Sequence, residues 1–386
     1  MNKTSILAII VIIIIVAIGA AFAAMHHGPT SATSSPASTA ASHTSTSSSA
    51  TTQLAGVRIY GSGATFPAAQ YDVWFSEFRK ETGIDVEYRP VGSGRGVQDF
   101  IQGLVDFAGS DPPLPHNIWL RAKEKYGGVL QAPTIAGAIV VVYNIPGVKV
   151  HLNLTGDVLA KIYMGEIRYW DDPAIQKLNP GVKLPHKEIV PVYRSDSSGT
   201  TQYFTYYLTL SNKEWAEKYG YGKVWKVQGV GIGATGNPGV AAAVKNTPYS
   251  IGYVEYAYAL RYNLSIAALA PPGRSDIFLL PSVESIQKTL AKVAEKLPSP
   301  DADWSNTFGL SIKAASEVGG YPLTAYTHIV LRKKYNDPKK CEALKMLLEW
   351  IYKANIEKKY IVKGYVPLPK PMAEKLLEAA KLLCKP

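Results

Sequence analysis

Two hydrophobic periods alternate along most of this chain. Val57-Arg58-Ile59-Tyr60 reads as a strand. After the loop Gly61-Ser62-Gly63-Ala64-Thr65-Phe66-Pro67, the apolar positions Tyr71, Trp74, Phe75 and Phe78 recur at helical spacing. Pro67 suits a first helical turn and Gly83 a C-terminal stop. Ile84 to Tyr88 alternates like a half-buried strand, and Gly92-Ser93-Gly94-Arg95-Gly96 leads into a helix with Val97, Ile101 and Leu104 on one face. A short strand over Val105 to Ala108 then delivers Ser110 and Asp111 at its C-terminal end. Further strands are predicted at Ile139 to Tyr143, Ile189 to Val192, Ile251 to Val254 and Ile329 to Leu331. Helical spacing marks Val158 to Met164, the stretch from Thr201, Pro338 to Ala354, and Pro371 to Leu383. This alternation predicts an α/β fold with parallel-rich sheets covered by helices.

The N-terminal part follows neither period. Ile6 to Ala24 is almost continuously apolar with Lys3 ahead of it, about the ~20 residues that span a membrane. Residues 1–25 are therefore expected to be an uncleaved anchor, with a signal sequence cut near Ala21-Phe22-Ala23 as the alternative. Residues 26–55 are dominated by Ser, Thr and Ala and cannot bury a core, which reads as a stalk. Both readings place the remainder outside the cytoplasm. The sequons Asn153-Leu154-Thr155 and Asn263-Leu264-Ser265 suit that placement. It also permits a disulfide between the two cysteines, Cys341 and Cys384, although two buried thiols fit the sequence equally well.

The chain has 386 residues, 47% of them hydrophobic, enough for two domains with real cores. The net charge of +11 points to an anionic partner. Nucleic acid is excluded as that partner: there is no Cys/His finger and no RNP-like motif, and Lys and Arg are scattered.

Arg194-Ser195-Asp196-Ser197-Ser198-Gly199-Thr200 joins a predicted buried strand to a predicted helix. The first amides of a helix lack intrahelical acceptors and carry the positive end of the dipole, so such a turn suits a small oxyanion. Arginine adds a planar donor fork. Gly231-Ile232-Gly233-Ala234-Thr235-Gly236 matches GxGxxG, with Glu255 downstream, but it stands late and isolated. It reads as a further turn near a cleft rather than a nucleotide site. There is no GxxxxGK[ST] and no GxSxG elbow, and the histidines do not cluster. No catalytic residue, metal ligand or cofactor site is expected.

The segments GSGATFPAAQYDVWFSEFRKETG, VGSGRGVQDFI, VDFAGSDPPL, IYMGEIRYWDDPAIQKLNPGVKLP, VPVYRSDSSGTTQYF and IGYVEYAYA occur in the order found in the substrate-binding proteins of Pst phosphate ABC importers. The chain resembles that family from about Val57 to its C-terminus. The resemblance implies a two-lobe type II periplasmic-binding-protein fold with the ligand in a cleft between the lobes. Lobe I is expected at 56–135 and 318–386, lobe II at 136–317, with crossings near Pro133 to Gly137 and Gly319 to Leu323. It also implies a phosphate site built from Thr65, Phe66, Ser93, Asp111, Arg194, Asp196, Ser198, Gly199 and Thr200, with Phe66 and Gly199 acting through backbone amides. The implied partners are inorganic phosphate and the permease subunits of an ABC importer, with the N-terminal segment on the membrane and the receptor a monomer. Two departures from the family pattern are Arg95, expected to point to solvent, and Ser197 where glycine is common.

The residue chemistry suits phosphate. Phosphate at neutral pH keeps a proton to donate, and sulfate has none. Asp111, as an acceptor in a dry cleft, would therefore favour phosphate and repel sulfate. Asp196, two positions from Arg194, reads as its brace. Arsenate is protonated like phosphate, so another oxyanion (sulfate, arsenate, molybdate or tungstate) remains an alternative ligand. A secreted phosphatase and a surface adhesion protein are the alternatives of other classes.

Overall fold

The computed structural model describes residues 53–384. The expected anchor and nearly all of the expected stalk lie outside the described residues. Leu54 is already buried in the core.

One mixed sheet organises the chain. The strands of the chain are β1 (Arg58–Gly63), β2 (Asp85–Pro90), β3 (Phe107–Ser110), β4 (Val129–Asn144), β5 (Asn153–Leu154), β6 (Val190–Arg194), β7 (Ile232–Ala234), β8 (Ser250–Glu255), β9 (Ser265–Ile266), β10 (Ala268–Leu269) and β11 (Thr324–Arg332). The spatial order is β2-β1-β3-β11-β4-β8-β6-β7, with β9 also on β4 and β10 paired separately with β5. β1, β2 and β3 are parallel, as are β6, β7 and β8. β4 joins the two sets. Its residues 129–138 pair with β11 and its residues 139–144 with β8, both antiparallel. Sixteen residues long, it is buried until its last residue, as a central strand covered on both faces should be.

The alternation of periods marked only the last part of β4, and the expected crossing at Pro133 to Gly137 lies in its β11-paired part, with the proline in mid-strand. The reason is a bulge: the β11 register shifts between Thr327, opposite Ile135, and His328, opposite Pro133. Proline has no amide to donate to a ladder, and a bulge is where a sheet tolerates it. The third strand lies at Phe107–Ser110, two residues later than predicted. Leu104 does not extend the helix face, because that helix, Ser93–Gln102, stops at left-handed Gly103 (φ 85°).

Helices cover the sheet with the expected apolar stripes, including Ala68–Thr82, which buries Tyr71, Trp74, Phe75 and Phe78 and ends on left-handed Gly83. Among the described residues no helix is long and apolar enough to cross a membrane.

Cys341 and Cys384 form a disulfide across 43 residues of sequence, tying the start of the helix Pro338–Glu357 to the C-terminal segment. Replacing either cysteine by serine is expected to cost about 2–4 kcal/mol of stability. Thermal unfolding of the variant, compared with the parent under reducing conditions, checks this: reduction should lower the parent's transition to that of the variant.

Candidate functional site

The nine residues singled out from sequence come from loops that this sheet order brings together. Thr65 and Phe66 follow β1, Ser93 opens the helix after β2, and Asp111 follows β3. Arg194 ends β6, and Asp196, Ser198, Gly199 and Thr200 form the turn into the helix Gly199–Ser211. These are loops beyond the C-terminal ends of parallel strands, where open α/β sheets bind ligands.

The two groups touch. A β-carbon on Gly199 would lie 2.5 Å from Ser93 Oγ, 2.6 Å from Asp111 Oδ2 and 2.6 Å from Pro112. The Gly94 amide donates to the Ser197 carbonyl at 3.0 Å. Asn237 donates to Thr65 Oγ1 through both its backbone and side-chain nitrogens, each at 3.0 Å, and its side chain also reaches Thr200 Oγ1 at 3.2 Å. The cleft is therefore closed.

The hydroxyls share one polarity. Thr65 and Thr200 accept from Asn237, and Ser198 accepts from the Thr201 amide at 3.1 Å as the helix N-cap. Each hydroxyl has one proton, and among the described residues none of these three protons has an acceptor. Ser93 accepts from the Asp111 amide at 3.2 Å and makes only a long contact, 3.4 Å, to Asp111 Oδ2. Gly199 and Thr200 open their helix, ahead of any intrahelical acceptor.

Arg194 is 1% exposed. Its Nε and Nη2 hold Asp196 in a bidentate pair at 2.6 and 2.5 Å, and the Gly236 amide donates to Asp196 Oδ1 at 3.0 Å. Burial pulls the Asp196 pKa up, but the hydrogen bond and charge of Arg194 outweigh it and hold the group below its ordinary range. Arg194 Nη1 is buried with no partner among the described residues. Asp111 is also buried. Burial raises its pKa to about 6, against the opposing pull of a 2.6 Å hydrogen bond from Thr327 and the charges of Arg194 and Lys223.

The sequence of the chain matches the PBP superfamily domain over residues 32–355. It is 38% identical over 334 residues to the phosphate-binding protein PstS of Methanocaldococcus jannaschii, covering 83% of this chain and 85% of that one. It is 39% identical over 321 residues to the phosphate-binding protein PstS of Pasteurella multocida, covering 82% and 88%. The chain belongs to the PstS family within this superfamily. In fold it is similar to the crystallised phosphate-bound periplasmic protein PfluDING, with a TM-score of 0.64 at 20% identity over 86% of this chain and 100% of that one. An ancestral soluble variant of the human phosphate binding protein gives the same TM-score, 0.64, at 21% identity over 84% and 93%.

Four neighbours of the site in this PstS family member escaped the sequence reading. Asn237 directly follows the GxGxxG stretch, whose Gly236 serves Asp196, and its Oδ1 accepts from the Glu255 amide at 2.9 Å. Glu255 itself caps the helix Tyr256–Arg261 through the Ala257 amide, which accounts for it without a nucleotide. Thr327 reaches Asp111 from β11 beside the β4 bulge, where the pairing shifts register. His328 Nδ1 lies 3.2 and 3.0 Å from the carbonyls of Ser110 and Asp111, and burial brings its pKa down to about 4. The neutral ring thus donates to that turn and fixes it. Lys223 is the fourth. The signal for Asn237 was local; those for Thr327 and His328 lay in the sheet order, and that for Lys223 in a loop that returns to the Ser198 amide. Arg95 has an exposed side chain whose Nε pairs with Asp99 at 2.7 Å.

Proposed function

We propose that the chain captures inorganic phosphate in this cleft outside the cytoplasm and hands it to the permease of an ABC importer. The observation that carries the reading is the buried Arg194, with one donor unpartnered beside three hydroxyls whose protons are all left to donate. Uncommitted donors gathered in one cleft fit a tetrahedral oxyanion. Asp111 supplies the single acceptor, which a protonated phosphate satisfies and sulfate does not. The whole set Thr65, Phe66, Ser93, Asp111, Arg194, Asp196, Ser198, Gly199 and Thr200 is proposed to surround the ion, with Asp196 bracing Arg194. Titration of phosphate into phosphate-stripped protein, with sulfate in excess, tests this. Tight one-to-one binding is the expected result, and heat that sulfate abolishes would overturn it.

The receptor works as a monomeric two-lobe clamp held at the membrane by its N-terminal segment. The lobes would meet where β4 changes partner, between Ala138 and Ile139, close to the first predicted crossing. The Ile139 amide also donates to Leu323 at the second crossing. The Gln131 amide bonds the Pro300 carbonyl, and Lys333 pairs with Asp301 at 2.8 Å. These contacts support assigning the segment around 300 to lobe I rather than to lobe II. The same chemistry predicts a pH effect. As pH falls through about 6, Asp111 gains a proton and can donate to sulfate. Sulfate competition should therefore strengthen at acid pH, and Asp111→Asn should bring that weakened selectivity to neutral pH. Competition titrations at about pH 5 and about pH 7.5 read both effects. Equal loss of both anions in the variant would make Asp111 structural.

A further inference from the structure

The charges enclosing the cleft do not balance without one more residue. Arg194 and Asp196 neutralise each other as a bidentate pair. Asp111 is left as a buried carboxylate served by hydroxyls, Thr327 at 2.6 Å and Ser93 at 3.4 Å. Arg194, Asp196 and Asp111 together would confront an anion with a net charge of about −1.

Lys223 is positioned to change this sum. It lies in the loop after the helix Lys213–Lys218, and its carbonyl accepts the Ser198 amide at 2.8 Å, beside the N-cap of the ligand helix. The loop is pinned on both sides. The Gly222 amide donates to Thr205 Oγ1 at 3.1 Å, and buried Trp225 stacks on Tyr193 with centroids 5.1 Å apart. The Lys223 side chain is half-buried, and its ammonium has no hydrogen bond or ion pair with a described residue. Burial brings its pKa down to about 8, and Asp111 is the group that pulls the other way.

We propose that Lys223 is a further phosphate-binding residue, whose ammonium offsets Asp111 and supplies the cleft's uncommitted positive charge. This rests on the phosphate reading above. An ammonium acts as a point charge and needs no fixed fork, so the flexible lysine stem on this pinned loop suits contact with an anion better than it suits bracing. Its contribution is Coulombic and is screened by salt to the degree that the cleft mouth is wet.

The test is phosphate titration of four variants across a salt series, with ligand-free thermal unfolding as a check on folding. Lys223→Gln is expected to weaken phosphate about tenfold and to flatten the salt dependence, Lys223→Glu to weaken it further, and Lys223→Arg to stay near the parent. Lys226→Gln removes an exposed charge from the same loop and should match the parent. Parent binding with an unchanged Lys223→Gln affinity and salt slope overturns the inference alone. So does equal loss in the Gln and Arg variants at an unchanged salt slope, which would mark a packing role. No binding by the parent overturns the phosphate reading and this inference with it.

Discussion

Arg194→Ala is expected to abolish measurable phosphate binding while leaving the protein folded. Arg194 is fully enclosed, whereas its partner Asp196 is 14% exposed and keeps the hydrogen bond from the Gly236 amide. Truncating one member of a buried pair costs about 3–5 kcal/mol, or roughly 10²–10⁴ in an equilibrium constant. Here the cost falls mainly on the bound state, because the variant leaves Asp196 facing an anion with no cation between them. Lys at this position restores charge but not the fork that grips Asp196 while leaving Nη1 free, so Arg194→Lys should recover only part of the affinity. Asp196→Asn should cost less than Arg194→Ala, since it loosens the guanidinium without removing it. Calorimetric titration ranks the three. If Arg194→Ala stays within about tenfold of the parent, phosphate binds elsewhere.

The turn that carries Arg194 was legible in sequence because its chemistry is local. A strand, a run of small polar residues and a helix start are written in about a dozen consecutive positions, and the side-chain hydrogen bonds of Ser198 and Asp196 close within that span or with the Gly236 turn. The alternation of periods likewise announced the α/β class, because each element buries one face against its neighbours. What escaped depends on strand order. β11 inserts between β3 and β4, and nothing in the period of residues 324–332 says that Thr327 will meet Asp111 from 216 positions away. Pro133 is a related case: local rules make proline a breaker, and it is admissible in the middle of β4 because β4 carries an extra residue, Thr134, opposite the Thr327–His328 step of β11. Asn237 combines the two cases, since its place after Gly236 is local while its grip on Thr65 crosses the cleft.

Closure of the cleft gives the second large effect. Gly199→Ala is expected to leave the ligand-free protein as stable as the parent and yet weaken phosphate by about 10²-fold or more. Gly199 occupies the first turn of its helix, where alanine is intrinsically the better residue by about 1 kcal/mol. The three atoms nearest the added methyl would be Ser93 Oγ, Asp111 Oδ2 and Pro112 Cδ, at 2.5–2.6 Å, all from the loops after β2 and β3 across the cleft. The proline ring cannot swing aside, and moving Ser93 or Asp111 breaks the bonds that orient the acceptor. The clash exists only when the lobes meet, so the substitution lowers the population of the closed state, and apparent affinity falls by that factor. Gly94 is pinched in the same way. Its β-carbon would meet the Ser197 hydroxyl and lie 2.5 Å from Ser197 Cβ, which no rotamer change moves, so Gly94→Ala should oppose closure as well. Small-angle scattering with and without phosphate separates this from a damaged ligand set. The parent should contract on binding, and Gly199→Ala should stay open at phosphate concentrations that partly occupy it. A Gly199→Ala variant that contracts like the parent, at parental affinity, would mean that the two lobes do not approach through this turn.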